Sequence, residues 1–270
     1  QAAIGAGLPP SVGATTLNKV CGSGMKAVMN ACDSLTLGNV DVAVAGGMES
    51  MTNAPYLMTQ GRSGYRFGHA QIFDHMTMDG LEDAYNGEAM GIFAEKCVSK
   101  FGFTREEQDA FAVTSLERAQ QAIKEGSFER EIAPVTVKTR KGEVVCSIDE
   151  QPGKSVADKI SQMRPAFIKD GTVTAANASS ISDGAAALVL TRLSVAEKLG
   201  MKPLATIHAH STHSQEPEWF TTAPVGAINK LLAKVAWSKD DVDLFEINEA
   251  FACVTMAAMK ELGLPHEKVN

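Results

Sequence analysis

"NKVCGSGMKAV", residues 18–28, decides how the chain around it is read. Just before it, "TTLNKV" (Thr15–Val20), rich in β-branched and apolar residues, predicts a short strand. Met25, Val28, Met29, Cys32 and Leu35 then recur at helical spacing, which predicts a helix from about Ser23 to Leu37 that Gly38 stops. "VDVAVAGG" follows as a buried strand ending in two glycines. Strand, helix and strand in this order predict a βαβ unit with parallel strands, and so an α/β fold. Cys21 stands where the first strand gives way to the helix.

That position admits two readings of the cysteine. At a helix start, unpaired N–H groups and the positive end of the helix dipole favour an anionic sulfur. Gly22 and Gly24 remove bulk, so a substrate carbonyl can approach, and nearby N–H groups can hold the oxyanion of acyl transfer. The competing reading is core filling, since free cysteine is among the most buried residue types. "INEAF" (Ile247–Phe251) poses the same choice for Asn248. It is either the N-cap of a helix or an amide that orients a water or stabilises an oxyanion.

The bulk numbers narrow the classes. A chain of 270 residues, 44% hydrophobic and 21% charged, has the composition of a soluble globular protein with a sizeable core. A net charge of −7 without a long basic run argues against nucleic-acid or membrane partners. The longest apolar stretch, "GAAALVL" (Gly184–Leu190), is far too short to span a bilayer, and no segment has a signal-peptide layout. Cys21, Cys32, Cys97, Cys146 and Cys253 show no C-x-x-C pairing, which points away from zinc and towards a reducing cytoplasm.

Between Met51 and about Thr174 the texture changes. After Gly87 two helices are expected, the second opened by a capping box, Thr104 to Glu107, and stopped by Gly126. "IAPVTVKTRKGEVVCSI" predicts a hairpin turning near Lys141–Gly142. This stretch looks like an insertion between core strands. "GAAALVLT" then predicts a short buried strand, Val225 to Val235 a helix, "VDLFEI" (Val242–Ile247) a strand, and "NEAFACVTMAAMKELG" a helix ending at Gly263.

Taken together, "NKVCGSGMKAV", "VAVAGGMESM", "MRPAFIKDGTVTAANASSISDGAAALVL" and "INEAFA" resemble, in order and spacing, the thiolase family of acetyl-CoA acetyltransferases and 3-ketoacyl-CoA thiolases. The resemblance runs from Thr15 to Asn270. It implies a layered αβαβα core of two similar halves with an inserted loop domain, here incomplete. Residues 1–50 would belong to the N-terminal half, 51–180 to the loop domain, 181–200 to the return, and 201–270 to the C-terminal half.

The implied chemistry is acyl transfer between CoA thioesters through an acyl-cysteine, as thiolysis of 3-ketoacyl-CoA or Claisen condensation of acetyl-CoA. Carried over by motif, Cys21 is the nucleophile and Asn248 the holder of an oxyanion-hole water. Ser179 meets the pantetheine arm of CoA, and Phe167, Ala175, Ile181, Met90, Ala250 and Phe251 form its cradle. Acyl-CoA and coenzyme A are the implied partners, with no permanently bound cofactor and no metal. A homodimer or homotetramer is implied as well.

The departures matter. The family's G-H-P histidine and its second, Gly-flanked cysteine do not occur, and the strands before "TTLNKV" are missing. The chain resembles one truncated at both ends, and little turnover is expected of it alone. Cys253 lies inside a helix and His266 in the wrong motif to replace them. Ala89-Met90-Gly91 stands for the usual His-Met-Gly, Ala176 for a glycine, Thr222-Ala223 for a glycine-bearing pattern, and Phe220 for a common methionine. Phe220 points to a shorter acyl pocket.

Three rival signals fail. Ser23-Gly-Met-Lys26 is an S-x-x-K, but Ser182-Asp-Gly184 and Lys138-Thr-Arg140 do not supply the S-D-N and K-T-G that a β-lactamase site needs. "HAHSTH" puts His208 and His210 on one face of a presumed strand, without a cysteine or carboxylate to complete a metal set. Gly5-Ala-Gly7 precedes Pro9-Pro10, which bars the helix a dinucleotide site requires. A different class stays open: a non-catalytic thiolase-like CoA-binding or assembly module. The intact Cys21 and Asn248 favour the enzyme.

Overall fold

All of residues 1–270 are described in a computed structural model, and the helix after Cys21 forms over Ser23–Thr36, as its apolar spacing predicts. It lies on the strand Val42–Ser50, where Leu35, Ala45 and Leu190 are buried and Ala27, Val28, Ala31 and Ala43 pack against them. Two glycines set how closely helix and strand approach. A Cβ on Gly47 would sit 3.0 Å from the Cα of Gly24.

The ladder differs from the expected βαβ unit. Val42–Ser50 pairs antiparallel with Asp183–Thr191, Val42 opposite Thr191 and Ser50 opposite Asp183. Thr15–Val20 forms no strand; only an isolated bridge joins Lys19 and Cys21. Its β-branched residues supply propensity, but a strand also needs a neighbour's ladder, and no segment of this chain provides one. Residues 203–211, including His208 and His210, are likewise not a strand.

Both paired strands were expected to be buried, yet Val42, Val44, Met48, Leu188 and Val189 are exposed. The helix covers one face of a two-stranded sheet, and alternation turns Val42, Val44 and Val189 to the other. Residues Gln1–Tyr56 and Ser182–His210 make up this first compact unit.

Residues Leu57–Ile181 and Ser211–Asn270 make up the second. Its helices Met90–Phe101 and Arg105–Glu125 are the two expected after Gly87. The Thr104 hydroxyl accepts from the Glu107 N–H at 3.1 Å, and the Glu107 carboxylate accepts from the Thr104 N–H at 2.8 Å, completing the capping box. Gly126, at φ 69°, ends that helix as a left-handed cap. The hairpin Val135–Thr139 with Gly142–Cys146 forms in the expected place and is exposed along both strands.

The last helix, Ala252–Leu262, is the centre of this unit, ending at Gly263 with φ 62°. One side joins Ala94, Cys97, Val98, Val173 and Phe251; the other joins Val225, Phe245, Ile247, Leu264 and Val269. Fully burying side chains such as these contributes about 1.5–3 kcal/mol for each large one. "VDLFEI" is not the predicted strand. It makes one parallel bridge, Phe245 to Val269, with the Phe245 N–H donating to the Lys268 carbonyl at 2.8 Å. No helix is long and apolar enough to cross a membrane.

Candidate active site

At the first junction the backbone makes a tight turn held by its own side chains. The Val20 N–H donates to Asn18 Oδ1 at 2.8 Å, and the Gly22 N–H to the Lys19 carbonyl at 3.0 Å. Ser23 Oγ accepts from the Lys19 N–H at 2.8 Å and donates to the Val20 carbonyl at 2.7 Å. The residue inside this clamp, Val20, has φ 48°. That is a left-handed conformation costing a β-branched residue about 1–2 kcal/mol. The result is an exposed Cys21 thiol one residue before the N-cap, Gly22, with the Cys21 N–H left without a protein acceptor. Core filling is therefore not what this cysteine does.

At the second junction the capping reading of Asn248 fails. The helix begins at Ala252, and its N-cap is Phe251, in extended conformation with no side-chain cap. Asn248 is exposed, and its side-chain amide makes no bond to protein. The segment that carries it is tied down from outside. The Ser179 N–H donates to the Ala250 carbonyl at 3.0 Å, the Ala252 N–H to the Asn177 carbonyl at 2.8 Å, and Ala178 bridges Phe251. Ser179 Oγ donates to the Glu249 carbonyl at 2.5 Å, which leaves its lone pairs to accept.

Around this segment the second unit gathers most of the residues predicted from sequence. Met90, Phe220, Ala250 and Ala178 pack on the cluster that contains Phe251. Phe167 meets Phe251 edge to face at 6.1 Å and covers Gly91, where any Cβ would fall inside its ring. Phe220 is set edge-on against Phe93 at 6.3 Å. Ala175 and Ile181 are exposed on the same loop as Ser179. Cys21 belongs to the first unit.

Sequence reasoning missed the buried polar groups that hold this loop. Glu95, 7% exposed, accepts from the Thr172 and Val173 N–H groups, both at 2.8 Å, and from Thr172 Oγ1 at 3.0 Å. Asn177, 3% exposed, donates to Asp109 Oδ1 and to the Thr172 carbonyl at 3.1 Å, and accepts from the Thr174 N–H at 2.8 Å. Arg105 Nε binds the other oxygen of Asp109 at 2.7 Å. The one available signal was polar residues, Gln108 and Ser115, spaced one heptad apart on the face of the long helix that also carries Phe111 and Ala112.

Cys253 is fully buried, its thiol directed at the Ala94 carbonyl at 3.6 Å. Its hydrogen bond with Cys97, together with burial, pushes the thiol up, which favours the protonated form. His266 stacks on Phe111 at 5.1 Å. His210 pairs with Asp33 at 2.9 Å, and His213 with Gln215 at 3.0 Å.

The chain is matched by two family descriptions, "Thiolase, N-terminal domain" over residues 1–194 and "Thiolase, C-terminal domain" over residues 201–270. The chain belongs to the thiolase family. Acetyl-CoA acetyltransferase 2 of Arabidopsis thaliana is 52% identical to this thiolase over 273 residues, covering 100% of the chain and 68% of the relative. An acetyl-CoA acetyltransferase of Chromobacterium violaceum is 48% identical, with 100% and 69% covered.

Among solved structures, the Bacillus anthracis acetyl-CoA acetyltransferase superposes with TM-score 0.95 at 44% identity, covering 100% of this chain and 68% of that one. Acat5 thiolase from Ascaris suum, in complex with coenzyme A, gives 0.92 at 40%, with 98% and 68% covered. As a thiolase the chain is an acyltransferase, and the non-catalytic module is not favoured.

Proposed function

We propose that this thiolase moves an acetyl group between CoA thioesters on the sulfur of Cys21. The observation that carries the reading is the exposed thiol on a clamped turn, beside its own unpaired N–H. The thiolate attacks the thioester carbonyl carbon, and the C–S bond to CoA breaks, leaving acetyl-Cys21 and the CoA thiolate. In condensation the α-carbon of a second acetyl-CoA, having given up a proton, takes the acetyl group and the Cys21 thiolate leaves. In thiolysis the acyl-Cys21 forms instead when the thiolate attacks the 3-keto carbon of 3-ketoacyl-CoA and the C2–C3 bond breaks, C2 taking up a proton. CoA then takes the acyl group and frees the sulfur. The Cys21 N–H is a donor for an oxyanion, and Asn248, with its amide unengaged, holds an oxyanion-hole water.

Ser179, its proton committed to the Glu249 carbonyl, accepts from a pantetheine N–H. Phe167, Met90, Ala250 and Phe251 supply the apolar cradle, Ala175 and Ile181 its exposed flank, and Phe220 a bulky wall suited to short acyl groups. Support for the ligand comes from the relative solved with coenzyme A. The same reading includes a cytoplasmic homodimer or homotetramer that needs no resident cofactor, with residues 51–180 as its inserted loop domain.

The test is covalent capture. The full-length protein is incubated with radiolabelled acetyl-CoA, quenched in acid and mapped by peptide. Label is expected on the Cys21 peptide and none after Cys21→Ala, which also abolishes thiolysis. Thiolysis retained by Cys21→Ala overturns the assignment.

A further inference from the structure

We infer that Ser115 is a positioning residue for Asn248, an inference that rests on the role proposed for Asn248 above. Ser115 lies on the helix Arg105–Glu125, 134 residues before its contact. Its hydroxyl donates to Glu249 Oε2 at 2.8 Å, so the side chain following Asn248 is anchored to a rigid element. The main chain of Glu249 is held as well, its carbonyl accepting from Ser179 Oγ. The Asn248 carbonyl accepts from the Ala250 N–H at 2.9 Å, a turn of the three-residue type that holds little by itself.

These bonds leave one freedom. With Glu249 held at both its side chain and its carbonyl, the backbone on the C-terminal side of Asn248 is restrained, and the freedom left is that of the Asn248 side chain, which makes no bond to protein. No lysine or arginine pairs with Glu249, so a neutral, directional hydroxyl sets where its carboxylate points. An oxyanion-hole group must be placed to within a few tenths of an ångström, and misplacement by 1 Å costs about 100-fold in rate. A single hydroxyl on a distant helix is therefore enough to matter to turnover without touching substrate.

The test separates positioning from folding. Ser115→Ala in the full-length protein is expected to lower kcat about tenfold. The KM for acetyl-CoA and the rate of Cys21 alkylation by iodoacetamide should change by less than about twofold, since neither involves Asn248. Ser115→Thr, which keeps the hydroxyl, restores most of kcat, and Ser115→Val, matched to it in shape, does not. That pair also decides the matter if Ser115→Ala fails to fold.

Adding Glu249→Ala to Ser115→Ala causes no further loss, because the two residues act as one. A kcat within twofold of wild type for Ser115→Ala, or equal values for the Thr and Val variants, overturns the inference. Asn248→Ala tells the two readings apart. If it leaves turnover unchanged, the role of Asn248 fails; if it slows turnover while Ser115→Ala does not, only the positioning role fails.

Discussion

The two junctions that precede helices, at Cys21 and at Asn248, look alike in sequence but are built in opposite ways. The first is held by partners within five residues: Asn18, Lys19 and Ser23 bond around a strained Val20. The second borrows its rigidity from afar, from Ser179 at 70 residues' distance and Ser115 at 134, with Asn177 fixed in turn by Asp109. The Cys21 sulfur and N–H are presented by a short turn alone. The Asn248 segment is instead fixed relative to the loop that carries Asn177 and Ser179 and to the helix Arg105–Glu125 that carries Ser115 and Asp109.

The sharpest way to break this contrast is to cut the distant support. Asp109 is nearly buried, pairs with Arg105 and accepts from Asn177. Asp109→Ala takes the carboxylate from a largely buried guanidinium, which keeps only the Ile160 and Met163 carbonyls. It also leaves one of the two Asn177 amide hydrogens without an acceptor, and the whole change is expected to cost about 3 kcal/mol. Urea unfolding of the variant measures it. A loss below about 1 kcal/mol, the scale of a surface ion pair, would mean that the loop holds itself and the second junction is local after all.

What could be read from the sequence follows the same division. The helices Ser23–Thr36 and Arg105–Glu125, the Thr104 capping box, and the stops at Gly126 and Gly263 all rest on signals a few residues apart. So does the place of Cys21 at the start of a helix, whereas the choice between a presented thiol and core filling was settled only by its exposure in the structure. The partner of Val42–Ser50 was not legible, because pairing with Asp183–Thr191 is a choice between distant segments, and propensity carries no address. Thr15–Val20 and Val242–Ile247 failed as strands for that reason, and Asn248 failed as a cap because the helix starts four residues later. The Asp109–Asn177 bond joins residues 68 apart. Only the polar interruptions on a buried helix face hinted that such bonds existed.

The local junction makes a smaller and sharper prediction. If Ser23 serves to hold Val20 at a positive φ, then Ser23→Ala costs about 1 kcal/mol in the first unit and slows alkylation of Cys21. In a Val20→Gly background the same substitution should cost less than half as much, since glycine adopts that conformation unaided. The lost hydrogen bonds themselves are exposed and replaceable by water, so strain is the term that differs. Equal costs in both backgrounds would show that the clamp and the strain are unrelated.

The smallest expected effect is a pH slope that tells the two units apart. His266 packs on Phe111 of the long helix, and its carbonyl accepts from Arg118 at 3.0 Å. Burial, with the Arg118 charge, lowers its pKa below 6.5, against the opposing pull of Glu249 and Glu267. In the unfolded chain this histidine protonates first, so below 6.5 the unfolded state binds more protons and stability falls as pH falls, until the folded pKa is passed. The contribution is complete above that window.

In the first unit, Asp183 is held below its ordinary 3.8 by the Thr52 N–H, so its contribution is lost only in stronger acid. Unfolding followed about one pH unit either side of 6.5 should therefore show a slope that His266→Gln removes. A slope that survives the substitution would assign the acid sensitivity to another group and leave the far-supported junction no more pH-dependent than the local one.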